Sequence, residues 1–126
     1  MLQAIIENGR ADYALNAVKI IVNDKDDKTK KEYKSYVKKL PALVLSNGLA
    51  AAVAFMAEKG GSYMLIHDNV NDWLIKNAFY TDIKLCEYVS SLDSVNYRVV
   101  TNEVLALTKW LKMFAGGLIE GEAEDI

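Results

Sequence analysis

The chain has 126 residues, of which 52% are hydrophobic, 15 are lysine or arginine and 17 are aspartate or glutamate. This length and composition predict one folded domain over residues 1–126, and they exclude a disordered chain and leave no room for a second domain. The single cysteine excludes an intramolecular disulfide, and no leader segment with a charged start and an apolar stretch opens the sequence, so a cytoplasmic location is expected.

Apolar periodicity and helix-breaking residues divide the first half of the chain into predicted helices. Residues 2–22 carry apolar side chains at steps of three and four, which is typical of an amphipathic helix, and the charged stretch 23–29 ends it. A short helix is predicted over residues 30–39, with Pro41 ending it and opening the next one. Residues 40–57 are uncharged and reach the length of a membrane span. Their six alanines are only weakly apolar and Pro41, Ser46, Asn47 and Gly48 lower the hydropathy further, which favours a buried helix that ends at Gly60–Gly61.

The second half of the chain is also predicted to be helical. Residues 62–77 predict one or two helices, and residues 81–92 predict another with Thr81 as its N-cap. The last helix is predicted to begin with Asp93 or Ser94 as its cap and to end at Gly116–Gly117. Its apolar residues form one seam at steps of three and four: Tyr97, Val100, Val104, Leu107, Leu111 and Phe114. The fold class is therefore all-α, a single compact helical bundle of about five to seven helices, monomeric or weakly self-associating when isolated.

Charge is distributed unevenly along the chain. Residues 28–39 contain six lysines and one glutamate, a local balance of +5, whereas residues 120–126 carry −4 and are predicted to form a disordered acidic tail. A basic tract of this kind is most often a solvated helix face, yet it is also the first surface that a polyanion would approach.

Residues able to support catalysis or metal binding are scarce. His67 is the one histidine and Cys86 the one cysteine, so neither a zinc site nor a nucleophile–histidine pair with a family signature is predicted. The acidic stretch 24–27 lacks the glycine and glutamate of a calcium loop, and no glycine-rich phosphate motif occurs. Glu103 is the one acid of interest, and a structural ion pair with Arg10 or Arg98 is its favoured interpretation. No cofactor, metal or enzymatic activity is predicted.

Three blocks of residues resemble a known family, the small all-helical subunit of the type III-B CRISPR RNA-guided (Cmr) effector complex. They cover nearly the whole chain, and the third block is the most specific. The matching residues are Arg10-Ala11 with Ala14 and Val18, then Lys39-Leu40-Pro41, Asn47-Gly48-Leu49, Ala54-Phe55 and Lys59, and finally Tyr97-Arg98, Thr101, Glu103, Leu105-Ala106, Trp110-Leu111-Lys112 and Phe114-Ala115, with Trp73-Leu74 between the last two blocks. Met113 departs from the family, which usually has arginine there.

The resemblance implies a non-catalytic architectural subunit in antiviral defence. Family members stack in a minor filament, so the implied partners are other Cmr subunits, especially the backbone filament subunit, further copies of the chain, and the guide RNA and target RNA, with no membrane. Base pairing reads sequence, so the protein need only recognise phosphates and A-form shape. The candidate RNA-binding residues, chosen by charge and helical spacing, are Lys38, Lys39, Lys59, Arg98, Lys109 and Lys112.

Two alternatives stay open from the sequence alone. A protein–protein adaptor without nucleic-acid contact would use the same lysines for solubility, and the small subunit of the type III-A complex is also helical. A small enzyme of unknown type is a weaker third hypothesis.

Overall fold

The structure is a computed structural model that describes residues 2–121, and within this range it contains α-helices and no strands. The all-α prediction of a compact bundle with five to seven helices is confirmed. The six helices of the described range are α1 (Leu2–Asp24), α2 (Asp27–Asn47), α3 (Leu49–Lys59), α4 (Gly61–Lys76), α5 (Leu85–Ser90) and α6 (Ser94–Leu118).

Helix α6 is the packing centre of the bundle. It packs against both α1 and α2, while α2 also contacts α3 and α4, and α5 packs against α3. The predicted apolar seam of α6 is confirmed, because four of its members, Val100, Val104, Leu107 and Leu111, are at most 1% exposed. Tyr97 and Phe114, at the two ends of the seam, are half-buried. Burial of aliphatic side chains at this spacing is the main force that holds α6 in place.

Helix α2 is longer than predicted at both ends. It begins at Asp27, with Asp26 as N-cap accepting a hydrogen bond from the Thr29 amide at 2.8 Å, so most of the predicted loop 23–29 is helical. Hydrogen bonding to Thr29, first through its side chain and then through its amide, lowers the pKa of the Asp26 carboxyl. The prediction that Pro41 ends the helix is wrong, since α2 continues through it to Asn47. Leu40 and Val44 are buried on the same face as the residues before the proline, and this packing offsets the hydrogen bond that proline cannot donate.

The uncharged stretch 40–57 is split between two helices rather than forming one. The break is at Gly48, whose φ of 89° lies in the region that favours glycine and whose amide donates to the Val44 carbonyl at 2.8 Å. Helix α3 then ends at Gly60, as predicted, and a single helix α4 follows at once. No helix within residues 2–121 has the length and hydropathy that a membrane crossing requires.

The segment between α4 and α6 departs from the predicted helix over 81–92. Asp82 has a φ of 62°, and residues 81–84 lie outside any helix, so Thr81 is not an N-cap and α5 begins only at Leu85. Leu85 is buried whereas Ile83 is 46% exposed, so burial starts where the helix starts. The predicted cap of α6 is confirmed at Asp93, which accepts a hydrogen bond from the Asn96 amide at 2.8 Å.

Helix α6 does not end at Gly116–Gly117 but continues to Leu118. Ile119, which follows it, is 3% exposed and donates its amide to the Ala115 carbonyl at 3.0 Å, so burial of Ile119 holds the last turn in place. The ammonium group of Lys34 in α2 donates to the carbonyls of Ile119 and Gly121 at 2.9 and 2.8 Å. The start of the predicted tail thus lies beside α2, and residues 122–126 lie outside the described range.

A polar network joins α1, α4 and α6. The Arg10 guanidinium donates to both carboxylate oxygens of Glu103, at 2.9 and 2.8 Å, and to Glu7 at 3.0 Å. The two indole N–H groups complete it, because Trp73 donates to Glu103 at 2.8 Å and Trp110 donates to Glu7 at 2.6 Å. The interpretation of Glu103 as a structural ion-pair partner is confirmed, with Arg10 rather than the exposed Arg98 as its partner.

The network shifts the pKa values of the paired groups in opposite directions. The hydrogen bond from Arg10 is the largest cause that lowers the pKa of Glu103, and the same bond raises the pKa of Arg10. Burial opposes both shifts, because it disfavours each charged form. Since the side chains of Arg10 and Glu103 are only 12% and 14% exposed, the pair is largely desolvated and neither partner tolerates the loss of the other.

Truncation of the α6 seam tests the packing. Leu111→Ala removes a side chain that is 0% exposed, and we expect a loss of about 2–5 kcal/mol in the free energy of unfolding. The matched control is Met113→Ala, which removes a side chain that is 53% exposed on the same helix, and its effect should stay within roughly 0.5 kcal/mol. Chemical denaturation followed by circular dichroism measures both, and equal effects would contradict the assignment of the seam.

The ion pair predicts a defined acid sensitivity. Because the folded-state pKa of Glu103 is lowered, its contribution is present above the unfolded-state pKa of about 4.3 and is lost as pH falls through the folded value. We expect Glu103→Gln to cost about 3 kcal/mol near neutral pH, and the difference from the natural chain to shrink on acidification.

Urea unfolding at several pH values measures this difference. Lys30→Gln is the control, because Lys30 pairs at 3.3 Å with an Asp27 carboxylate that is 85% exposed, and its cost should stay below about 1 kcal/mol. A Glu103→Gln cost that does not change between neutral and acidic pH would show that the carboxylate charge contributes nothing.

Candidate functional site

The residues with catalytic potential remain apart. His67 lies in α4, where its ring nitrogen is 3.1 Å from the carboxylate of the adjacent Asp68, and Cys86 is a free, exposed cysteine in α5. Within residues 2–121, no group of three or more histidine, cysteine, aspartate or glutamate side chains is placed to hold a metal ion. The chemistry available at the surface is therefore that of charge and ring contacts.

All six candidate RNA-binding residues are exposed. Helix α2 carries Lys38 and Lys39, α3 carries Lys59 at its last position, and α6 carries Arg98, Lys109 and Lys112. The other lysines of the basic tract are partly engaged, since Lys34 binds the carbonyls after α6 and Lys30 pairs with Asp27. The exposed lysines of the tract are Lys28, Lys38 and Lys39, and Lys38 and Lys39 lie furthest along α2 from the contact with Asp27.

The three cations of α6 share the solvent-facing side of that helix. At 100° per residue, Arg98, Lys109 and Lys112 fall within one stripe opposite the buried seam, as the sequence predicted. The first two are about 16 Å apart along the helix axis. The Lys109 ammonium also lies 5.9 Å from the centroid of the Trp110 ring, a cation–π contact that holds this side chain near the helix surface.

Helix α2 carries a further exposed lysine close to the C-terminal half of α6. The bond from Lys34 to the end of α6 and the bond from the Ala50 amide to the Tyr97 hydroxyl, 2.8 Å long, show that α2 and α6 run antiparallel. Lys38 is exposed and lies one turn after Lys34, so it is level with the C-terminal half of α6. We define Lys38, Arg98, Lys109 and Lys112 as the α2–α6 basic face.

Lys39 lines a groove together with Lys59. A groove of about 460 Å³ opens between α2 and the turn that joins α3 to α4, and it is named the α2–α4 groove below. Both lysines line it, although they are 20 residues apart in sequence. Its other lining residues are Glu32, Ser35, Tyr36, Phe55, Gly60, Gly61, Ser62 and Tyr63. The structure thus divides the six candidates between two surfaces.

Three aromatic rings form one wall of the α2–α4 groove. Tyr36 and Tyr63 stack with their centroids 3.9 Å apart and 3° between their planes, and Phe55 meets Tyr63 edge-on at 5.1 Å. The Lys59 ammonium lies 5.7 Å from the Phe55 centroid. Burial, together with the neighbouring Tyr36, raises the pKa of Tyr63, so its hydroxyl stays neutral and able to donate a hydrogen bond.

The sequence analysis missed this aromatic wall. The spacing of Tyr36 to Lys39 and of Phe55 to Lys59 places each ring beside its lysine on one helix, and that signal is visible in the sequence. The Tyr36–Lys39 pair and the Phe55–Lys59 pair line one groove because the chain turns sharply at Gly60, where φ is 64°. This turn brings α4 back alongside α2. Local spacing alone does not predict such a contact between helices.

A second groove is unsuited to a polyanion. It measures about 610 Å³ between α1 and α4 and has three aspartates on its walls, Asp12, Asp68 and Asp72, against two lysines. Tyr13, on one wall, donates to Asp72 at 2.8 Å, and burial is the main cause that raises its pKa. The excess of one negative charge makes this groove less favourable for a polyanion than the surfaces that carry the candidate lysines and arginine.

Comparison with known proteins identifies a family that this chain matches. Residues 6–118 match the model of a family described as "CRISPR-associated protein (Cas_Cmr5)". A curated relative from Thermus thermophilus, "CRISPR system Cmr subunit Cmr5", is 36% identical over 90 residues. That alignment covers 71% of this chain and 76% of the relative.

Proposed function

Because the chain belongs to the Cas_Cmr5 family, a subunit of the type III-B CRISPR complex, we propose that it is a non-catalytic architectural subunit that binds the guide–target RNA duplex through phosphate contacts. In this proposal copies of the chain stack in a minor filament beside the backbone subunit, in the cytoplasm. The type III-A alternative from the sequence is set aside, since both the family and the relative are of the Cmr type.

The observation that carries the RNA contact is the α2–α6 basic face. Its four cations are exposed and stand on the two helices that pack most extensively in the bundle. Charges on rigid helices can match the regular spacing of phosphates on an A-form duplex without a pocket for base edges. Recognition of this kind is independent of sequence, as is required of a subunit that serves many different guides.

The overall charge explains why the assembled complex is the relevant state. The chain has a net charge of −2 and a sequence pI near 5.4, so its long-range field does not attract RNA. We therefore expect the α2–α6 basic face of the isolated subunit to bind RNA weakly. Several copies aligned along one duplex would add their contacts, because linked sites bind at high effective concentration.

Exposed apolar side chains favour the second candidate function, an adaptor that contacts only protein. Leu45 at the end of α2 is 73% exposed, and Val95 and Val99 at the start of α6 are 68% and 51% exposed. Val95 and Val99 lie one turn apart on α6, and exposed apolar side chains that share a helix face can contribute to a protein contact. These residues fit contacts with neighbouring subunits in either function, so the RNA measurement decides between the two.

The proposal predicts that the isolated subunit does not cleave RNA. Its described residues hold no metal-binding cluster, and His67 and Asp68 are the one histidine–carboxylate contact among them. Purified protein incubated with end-labelled RNA, with and without divalent cations, should give no more product than buffer. Turnover that persists through purification and disappears in a His67→Ala variant would contradict the prediction.

Charge reversal in the assembled complex tests the phosphate contacts. We expect Arg98→Glu or Lys112→Glu to weaken target RNA binding and to flatten the slope of log affinity against log salt by about one unit per lost contact, because fewer counterions are released. Lys39→Glu tests separately whether the α2–α4 groove contributes to target RNA binding. Filter binding at several salt concentrations measures affinity and slope together.

Lys76→Glu is the matched control. It reverses an exposed lysine at the C-terminal end of α4, outside both basic surfaces, and should leave the salt slope unchanged. Variants that assemble fully and keep both affinity and slope would refute the RNA contact and leave the adaptor function. Failure to assemble would instead assign these side chains to a protein contact.

A further inference from the structure

We propose that the α2–α4 groove binds one unpaired nucleotide of RNA, with the phosphate between Lys39 and Lys59 and the base against the rings of Phe55 and Tyr63. This inference rests on the proposed function and deepens it, since it assigns the groove to single-stranded RNA and the α2–α6 basic face to the duplex. The two surfaces differ in shape and in chemistry, and each feature of the groove fits one part of a nucleotide.

Concavity separates the groove from a duplex-binding surface. The phosphates of an A-form duplex follow a convex ridge and are reached by exposed side chains such as Arg98 or Lys112. A recess of about 460 Å³ with cations at its margin instead admits a group that leaves the helix. Unpaired bases that are splayed out and stacked on aromatic side chains are the usual target of protein recognition in RNA.

The phosphate end of the groove has donors beyond the two lysines. Helix α4 begins at Gly61, and its N-cap Gly60 provides no side-chain hydrogen bond. The Tyr63 and Met64 amides donate to the Gly60 carbonyl, which leaves the amides of Gly61 and Ser62 without an intrahelical acceptor. Ser35, which is only 4% exposed, also lines the groove. A hydroxyl that is nearly buried beside a helix N-terminus and two ammonium groups favours an anionic ligand.

The other groups of the groove fit a nucleoside better than a free anion. Phe55 and Tyr63 are half-buried and both line the groove. The Glu32 carboxylate accepts a hydrogen bond from the Ser62 hydroxyl at 2.9 Å, so it lies beside the first turn of α4. There it repels a phosphate close to Ser62, which favours the position between Lys39 and Lys59, and it can accept a hydrogen bond from a ribose hydroxyl or a base amino group. Cations, rings and one acceptor together select a nucleotide over inorganic phosphate.

Amide NMR on the full chain tests the site, because it detects weak binding. Titration with a single-stranded uridine trinucleotide should shift the amide resonances of Gly60, Gly61 and Ser62. Lys39→Gln and Lys59→Gln, both at exposed positions, should weaken this binding without affecting the fold. Phe55→Leu, which keeps an apolar side chain but removes the ring, should weaken it at least about fivefold, since base–aromatic stacking contributes about 1–3 kcal/mol.

Three comparisons make the outcome decisive. Lys112→Gln on the α2–α6 basic face is the matched control and should bind the trinucleotide like the natural chain. Inorganic phosphate should shift the same amides far more weakly, and a short RNA duplex should shift resonances of α6 instead. No shift at Gly60–Ser62 up to millimolar trinucleotide, an equal response to inorganic phosphate, or binding that is insensitive to Lys59→Gln would each overturn the proposal.

The result is separable from that of the proposed function. Trinucleotide binding in the groove, together with unchanged duplex affinity of complexes carrying Arg98→Glu or Lys112→Glu, would overturn the duplex contact alone. Loss of duplex affinity in those complexes, together with no response in the groove, would overturn the nucleotide site alone.

Discussion

The Arg10 guanidinium is the interaction on which the arrangement of the bundle depends. It joins Glu7 and Glu103, and each carboxylate also accepts an indole N–H, so five side chains from α1, α4 and α6 form one connected network. The described range leaves no fully buried side-chain nitrogen or oxygen without a partner, which is the condition for a desolvated polar network to be stable. The network joins α1 and α4 to α6 through directional hydrogen bonds, in addition to the non-directional aliphatic packing that holds α6 in place.

The fixed packing of the helices explains how a protein with a small negative net charge can present ordered positive surfaces. Helix α6 is held on one side by the Arg10 network and on another by α2, and the stripe of cations occupies the side that remains. Side chains on a fixed helix keep their spacing, and spacing is what recognition of a regular phosphate backbone requires. The α2–α4 groove is fixed differently, by the glycine turn at Gly60 and by the ring stack of Tyr36 on Tyr63.

Sequence patterns predicted the elements in which one local signal dominates. Periodicity predicts the seam of α6, and capping chemistry predicts its cap at Asp93 or Ser94. The two arginines of the chain limit the predicted partner of Glu103 to Arg10 or Arg98. Prediction failed where tertiary packing overrides a local preference, as at Pro41, which stays inside α2 because Leu40 and Val44 are buried. The exposed cations were predictable from charge and spacing, but the pairing of Lys39 with Lys59 was not, since it depends on how α4 returns beside α2.

The first turn of α3 depends in part on a contact with α6. Gly48 provides no side-chain cap for α3, and the Ala50 amide instead donates to the Tyr97 hydroxyl, which belongs to α6 and lies 47 residues further along the chain. An 11-residue helix rich in alanine is marginal by itself, so the stability of α3 comes from tertiary contacts such as this bond. Hydrogen exchange of the α3 amides is therefore expected to follow openings that separate α3 from α6 rather than the strength of an isolated helix.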